Sequence, residues 1–200
     1  MIDMETVKEF ELELANYYNS PFCVATDSCT HAIELCLRYL NPKNVIKIPA
    51  RTYVSIPFTL VKCNLDWQFA DSEWEEYYRL EGTPIIDGAV NFKRNSYLNG
   101  TYMCLSFQFK KMLNLGRGGA ILCPTKDDYD VLKKMSYDGR TDGIPWTQQN
   151  IKHIGYHYYM TPEIAYQGIK KIKTAKPNKY WTSKDYPYLP DMDVFKRDVD

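Results

Sequence analysis

The 200-residue sequence predicts an α/β fold, a mostly parallel sheet with helices on both faces. Three observations point there. Short apolar runs without polar alternation recur along the chain, as strands buried on both faces require. Segments with helical apolar spacing and helix-start residues separate them. Residues able to do chemistry gather where the runs end, and strand ends are where open α/β sheets bind ligands.

In chain order, residues 5–18 set Val7, Phe10, Leu12, Leu14 and Tyr17 among acids, an amphipathic helix. Residues 22–25 read as a short buried strand, 26–30 supply capping side chains, and 31–40 continue as a helix with Ala32, Ile33, Leu35, Cys36 and Leu40 on its apolar face. A strand over 45–48 stops at Pro49, and 52–63 reads as a helix that Pro57 should kink or restart. Residues 67–70 are a strand, and 72–80 an acidic, aromatic surface segment. Further strands follow over 84–87, 103–105 and 120–123, then helices over 126–137 and 161–173, the last opened by Thr161-Pro162-Glu163. From Lys176 prolines, tyrosines and charges mix without period. Residues 1–174 are therefore expected to form one domain, and 175–200 an extended or disordered arm.

Composition narrows the function. Twenty-five basic residues balance 25 acidic ones, which argues against a nucleic acid or anionic membrane held by bulk charge. No apolar run approaches the ~20 residues of a membrane span. The N-terminal residues lack the regions of a signal peptide. Six cysteines without C-x-x-C spacing favour buried thiols in a reducing cytoplasm over zinc or disulfides, so no metal site is expected.

The segment of greatest interest runs from Ser106 to Gly119, between two apolar runs, and holds Lys110, Lys111 and a glycine cluster. On the residues alone it is either a ligand loop or a solvated basic turn leading into a glycine-bearing hairpin. Ser106, Phe107, Lys111, Gly116, Gly118 and Gly119 fit S-F-H-x-x-K-x-x-x-x-G-E-G-G without a gap. In this the loop resembles the Schiff-base loop of the DegT/StrS-like sugar aminotransferases, enzymes that use pyridoxal 5'-phosphate (PLP) on the fold-type-I scaffold. Gln108 and Arg117 stand where that family usually has His and Glu.

The resemblance continues through further segments. Ser28-Cys29-Thr30-His31-Ala32 is similar to the family's S-G-T-A-A phosphate segment, and Pro49-Ala50-Arg51-Thr52-Tyr53 to its P-A-x-T-[FW]. Asp87-Gly88-Ala89-Val90 resembles the D-A-A-Q run, with Val90 in place of Gln. Residues 155–161 resemble G-x-N-Y-R-M-[ST], with His157 for Asn and Tyr159 for Arg. The resemblance implies Lys111 as Schiff-base lysine and acid/base, and Asp87 as partner of the pyridinium nitrogen. It also implies Cys29, Thr30 and Ser106 around the phosphate, Tyr53 on the ring, and His157 reaching the phosphate of a second subunit. Each segment by itself also has a plain reading: an N-cap at Ser28, a turn aspartate at Asp87, a core tyrosine at Tyr53 and a structural histidine at His157.

What the resemblance implies overall is a PLP-dependent aminotransferase, a cytoplasmic homodimer acting on small molecules, a nucleotide-linked keto-sugar and an amino-acid donor. The alternative is a reduced homologue, weakly active or inactive, serving as a binding or regulatory subunit. The family continues into a further C-terminal domain, for which the residues after Lys173 are too few. Dehydratases on the same scaffold replace the lysine that stands here as Lys111.

Overall fold

The computed structural model describes residues 2–176 and 179–196. Its helices are α1 (Met4–Tyr18), α2 (Cys29–Leu40), α3 (Ser55–Lys62), α4 (Lys126–Ser136) and α5 (Pro162–Ile172). Its strands are β1 (Phe22–Thr26), β2 (Ile46–Pro49), β3 (Trp67–Ala70), β4 (Tyr78–Arg79), β5 (Ile85–Asp87), β6 (Tyr102–Ser106) and β7 (Gly119–Cys123). Among the described residues no helix is long and apolar enough to cross a membrane.

A five-stranded sheet runs β1-β7-β6-β5-β4, beside a two-stranded β2-β3 sheet. Paired backbone bonds between Lys47 and Glu81 link the two. The α/β class holds, but the sheet is mixed. Strands β5 and β6 pair in parallel, as do β2 and β3, whereas β1, β6 and β4 each meet a neighbour antiparallel. For β4 and β5 the reason is connection length. A parallel pair needs a crossover of a dozen or more residues, whereas β4 reaches β5 through a short turn and can only fold back as a hairpin.

Alternation along the central strands divides the core in two. Val24, Cys104, Ile121 and Cys123 pack toward α2. Cys23, Ala25, Met103, Leu105, Ala120 and Leu122 pack toward α1 and α5. Both faces are dry, which is why the strands read as unbroken apolar runs. The thiols are free, and only Cys63 is other than buried.

Each end of α1 is fixed by its own residues. Asp3 and Thr6 form a capping box, and Asn19 ends the helix in the left-handed region, which asparagine tolerates. Its buried face carries Val7, Phe10 and Leu14, while Leu12 is exposed, so Leu12 is not a core residue. The carboxylate of Glu11 is buried too. It accepts from the Ala25 backbone N–H at 2.8 Å and from Tyr129, and it pairs with Lys133. One side chain thus satisfies the outer edge of β1 and ties α1 to α4.

Three other expectations change. Pro57 neither kinks nor restarts α3, because it lies in the first turn, where its missing N–H is not needed. The segment over 72–80 is no surface stretch. It contains β4 and buries Trp74, Tyr78 and Leu80. The arm is also partly regular: 3-10 turns at Ser183–Asp185, Leu189–Asp191 and Asp193–Phe195 lie against the domain. The rest of the arm's end, 197–200, falls outside the described residues.

Helix α5 lies against α1 at Gly168, where a Cβ would come within 2.4 Å of the Phe10 ring. Gly168→Ala should therefore cost about 1–3 kcal/mol through overpacking, despite alanine's better helix propensity. Urea unfolding monitored by circular dichroism should show the lower midpoint at an unchanged slope.

Candidate active site

The site begins with a close approach. A Cβ on Gly119 would lie 2.3 Å from the Ser28 carbonyl carbon and 2.4 Å from the Cys29 nitrogen. Only glycine lets β7 start against the first turn of α2. Ser28 caps that helix by accepting from the His31 N–H. Among the described residues the Cys29 and Thr30 N–H groups have no protein acceptor, so the helix presents two donors and its positive dipole end.

The lysine loop between β6 and β7 is anchored, not a free solvated turn. Phe107, Leu113 and Leu115 are buried, and Phe107 meets Phe10 edge-on at 5.7 Å. Backbone bonds run from Phe107 to Gly118, from Phe109 to Gly116 and from Leu115 to Phe107. Gly116 and Gly118 take positive φ (81° and 148°), and so let the loop close. Arg117 donates to the Asp27 carboxylate at 2.8 Å, tying the loop to the residue before the α2 cap. Asp27 in turn meets His31 at 2.7 Å, whose ring stacks on Tyr158 at 3.7 Å.

Asp87 ends β5 with its carboxylate buried. One oxygen accepts from the Ala89 N–H at 2.9 Å and the other from the Tyr78 hydroxyl at 2.8 Å. Tyr78 is itself bonded to Thr52. Burial pushes the Asp87 carboxyl above its ordinary range, against the pull of these donors and of Lys111. Burial likewise pushes the Lys111 amine below the ordinary lysine range; Asp87 opposes this and Lys110 adds to it. Burial therefore works against the charged form of both groups.

These parts line one cavity of about 450 Å³. Of the residues singled out in the sequence it gathers Cys29, Thr30, Tyr53, Asp87, Ser106 and Lys111. Thr30 is bonded to Ser55 at 2.9 Å, and Tyr53 stands 59% exposed at the mouth. His157 is elsewhere. It is exposed, hydrogen bonded to Asp138 at 2.9 Å and edge-on to Tyr159, so it does not join the others within one chain. Sequence reasoning missed Tyr78, although Tyr78 and Leu80 alternate with charged residues as a half-buried strand should. It also missed Trp181, Asp185 and Tyr186 of the arm, which line the cavity and carry no periodic signal.

The arrangement brings together the desolvated Lys111 amine, a buried carboxylate and a helix N-terminus beside two further basic side chains, Lys110 and Arg117. It suits an anionic ligand that carries a group able to react with an amine.

No curated protein matches the sequence significantly. AtS13 from Actinomadura melliaura superposes with a TM-score of 0.72 at 16% identity, over 86% of this chain and 60% of that one. The sugar aminotransferase CalS13 from Micromonospora echinospora gives 0.67 at 13% identity, over 84% and 61%. The PLP form of Spr1654 from Streptococcus pneumoniae gives 0.69 at 17% identity, over 85% and 59%. The chain spans less than two thirds of each of these proteins. The fold is thus the one these structures share, and residues 1–81 match the sequence profile of the DegT/DnrJ/EryC1/StrS aminotransferase family, the family that the lysine loop and its companion segments resemble.

Proposed function

We propose that this chain binds PLP and takes part in transamination of a nucleotide-linked keto-sugar, with an amino acid as donor and Lys111 as the covalent anchor of the cofactor. The observation that carries the reading is the joint placement of Lys111, Asp87 and the α2 N-terminus in one cavity. The residues present fit the group. Gly119 lets β7 close on the Ser28–Cys29 peptide, and the N–H donors of the first turn of α2 beside it suit a phosphate. When bound, PLP supplies an electron sink for the carbon that loses its proton.

The chain's own residues then have distinct tasks. Cys29 and Thr30 N–H groups, with the Ser106 hydroxyl, hold the phosphate. Asp87 holds a proton on the ring nitrogen, and Tyr78 and Ala89 fix the direction of its carboxylate. Such a charge-assisted pair contributes roughly 1.5–3 kcal/mol. Tyr53 covers a ring face from the mouth. Lys111, its amine held below the ordinary lysine range by burial, can attack as a nucleophile and later move a proton between carbons. His157 lies on the surface, so its phosphate role requires a second copy of the chain, and a homodimer is part of the proposal. Free thiols support the cytoplasm as the place of action.

Borohydride treatment of PLP-loaded protein should fix the pyridoxyl group on the peptide holding Lys111, and glutamate should bleach the visible absorbance. An adduct on Lys110, or none at saturation, would remove Lys111 from its role. Light scattering should give a dimer, and a monomer that binds PLP fully would remove His157 from the site.

Asp87 generates a prediction with two arms. Asp87→Asn should weaken PLP binding by about tenfold or more, the value of a lost charge-assisted bond. The same change should alter the pH dependence of the cofactor-free fold. A carboxyl raised in the folded state stabilises below its ordinary range, and that stability is lost as pH rises through the folded value. Thermal melts of the wild type should therefore show a decline from acid toward neutral pH that the asparagine variant lacks. Equal slopes in both would mean Asp87 is not held in a proton-retaining site.

A further inference from the structure

Residues 179–196 are fastened to the domain at three places. Thr182 bridges to Glu75, and the Ser183 N–H donates to the Trp74 carbonyl at 2.9 Å. Leu189 is fully buried, and its N–H donates to the Ala50 carbonyl at 2.9 Å. Phe195 enters the aromatic group of Phe58, Trp67 and Phe69, with ring centroids 5.3–6.2 Å away. Chain fixed this way is a wall, not a tether. Around the first fastening and on toward the second it delivers Trp181, Asp185 and Tyr186 to the cavity. Tyr186 packs on Trp74 at 5.3 Å, and its backbone carbonyl accepts from Arg51 at 3.0 Å. Trp181 sits where its ring is 5.3 Å from the Lys111 Nζ, with Lys179 on it at 4.0 Å. The Trp181 carbonyl is held by the Glu76 N–H at 3.0 Å, and Lys179 is locked to Asp185 at 2.7 Å.

We propose that this arm is the inner wall of the site and that Trp181 is a positioning residue for Lys111, its indole holding the amine out of water and aimed into the cavity. The idea deepens the PLP reading and rests on it for its purpose, though not for its geometry. An indole beside an amine does two things. Its area excludes water, and its electron-rich face attracts the cation. Packed beside Trp181 and feeling the charge of the buried Asp87, the side chain loses the freedom a loop lysine ordinarily has, as a reacting group needs. Nothing in the 179–196 stretch marks this role by pattern; the bonds to Trp74, Glu76 and Ala50 create it.

The test needs no cofactor for its first reading. The full chain, with Trp181→Ala and Trp181→Phe, is labelled with trace acetic anhydride above the ordinary lysine range, and each lysine is quantified by mass spectrometry. Lys111 should react more slowly than the exposed Lys126. Its rate should rise about fivefold in Trp181→Ala, in keeping with loss of a desolvated aromatic contact, with Lys126 unchanged. Trp181→Phe should restore most of the protection, which a general loosening of the arm would not explain. Lys111 reacting like Lys126 in the wild type, or equally in wild type and Trp181→Ala, overturns the proposal. PLP titration then separates the two ideas. Quenching of tryptophan emission that is largely lost in Trp181→Phe places the cofactor beside this wall. Protection of Lys111 without any PLP binding leaves the wall standing and removes the PLP reading.

Discussion

The peptide joining Ser28 to Cys29 occupies the space where any side chain at position 119 would be. The site depends on that contact. Because β7 starts there, the lysine loop must leave β6 and return within reach of the α2 N-terminus. Because α2 starts there, its two unpaired N–H groups face the loop and not bulk water. Arg117 and Asp27 reinforce the same junction across the loop. A larger residue at 119 would separate the helix from the hairpin, and the anion-binding end of α2 would no longer share a cavity with Lys111.

Burial governs the second half of the site. Asp87 is shifted up and Lys111 down, although a carboxylate and an ammonium ordinarily stabilise each other as ions. For each group the cost of removing its charge from water is the largest influence and outweighs what its neighbours return. Two donors on Asp87 soften this without reversing it. Such a site is held in place by the fold around it, since neither group gains its full solvation or a close ion pair. That places the burden on Tyr78, Thr52 and the arm, whose contacts keep water out.

The sequence made the individual elements readable for a physical reason. Helices and doubly buried strands leave runs and periods, and α1, α2, α4 and α5 end within a few residues of expectation. The lysine loop and Asp87 were readable through resemblance, and the cavity unites them. Three things were not readable. Strand direction follows from connection geometry, which apolar runs do not encode, so the sheet is mixed. The role of the 72–80 segment was masked by its acids, since half of a half-buried strand is polar by design. The arm binds through backbone groups and scattered aromatics, and such contacts leave no period at all. His157 differs again: the resemblance pairs it with a second subunit, and within this chain it is exposed and bonded to Asp138.

The edge of β1 shows how the fold guards what the site needs. An exposed edge offers unpaired donors and acceptors that invite another strand. Here Glu11 takes the Ala25 N–H, and the segment carrying Tyr158 and Tyr159 takes the next positions, with the Asp27 N–H bonded to the Tyr158 carbonyl at 2.8 Å. The same segment stacks Tyr158 on His31, on the first turn of α2. Tyr158 also meets Glu34 and Lys62, so the buried Glu34 carboxylate, held below its ordinary range by Lys62 and Arg38 against the cost of burial, is joined to α3. The covering of one edge thereby braces the helix whose N-terminus forms the anion end of the cavity. Edge protection and site rigidity are, in this chain, served by the same side chains.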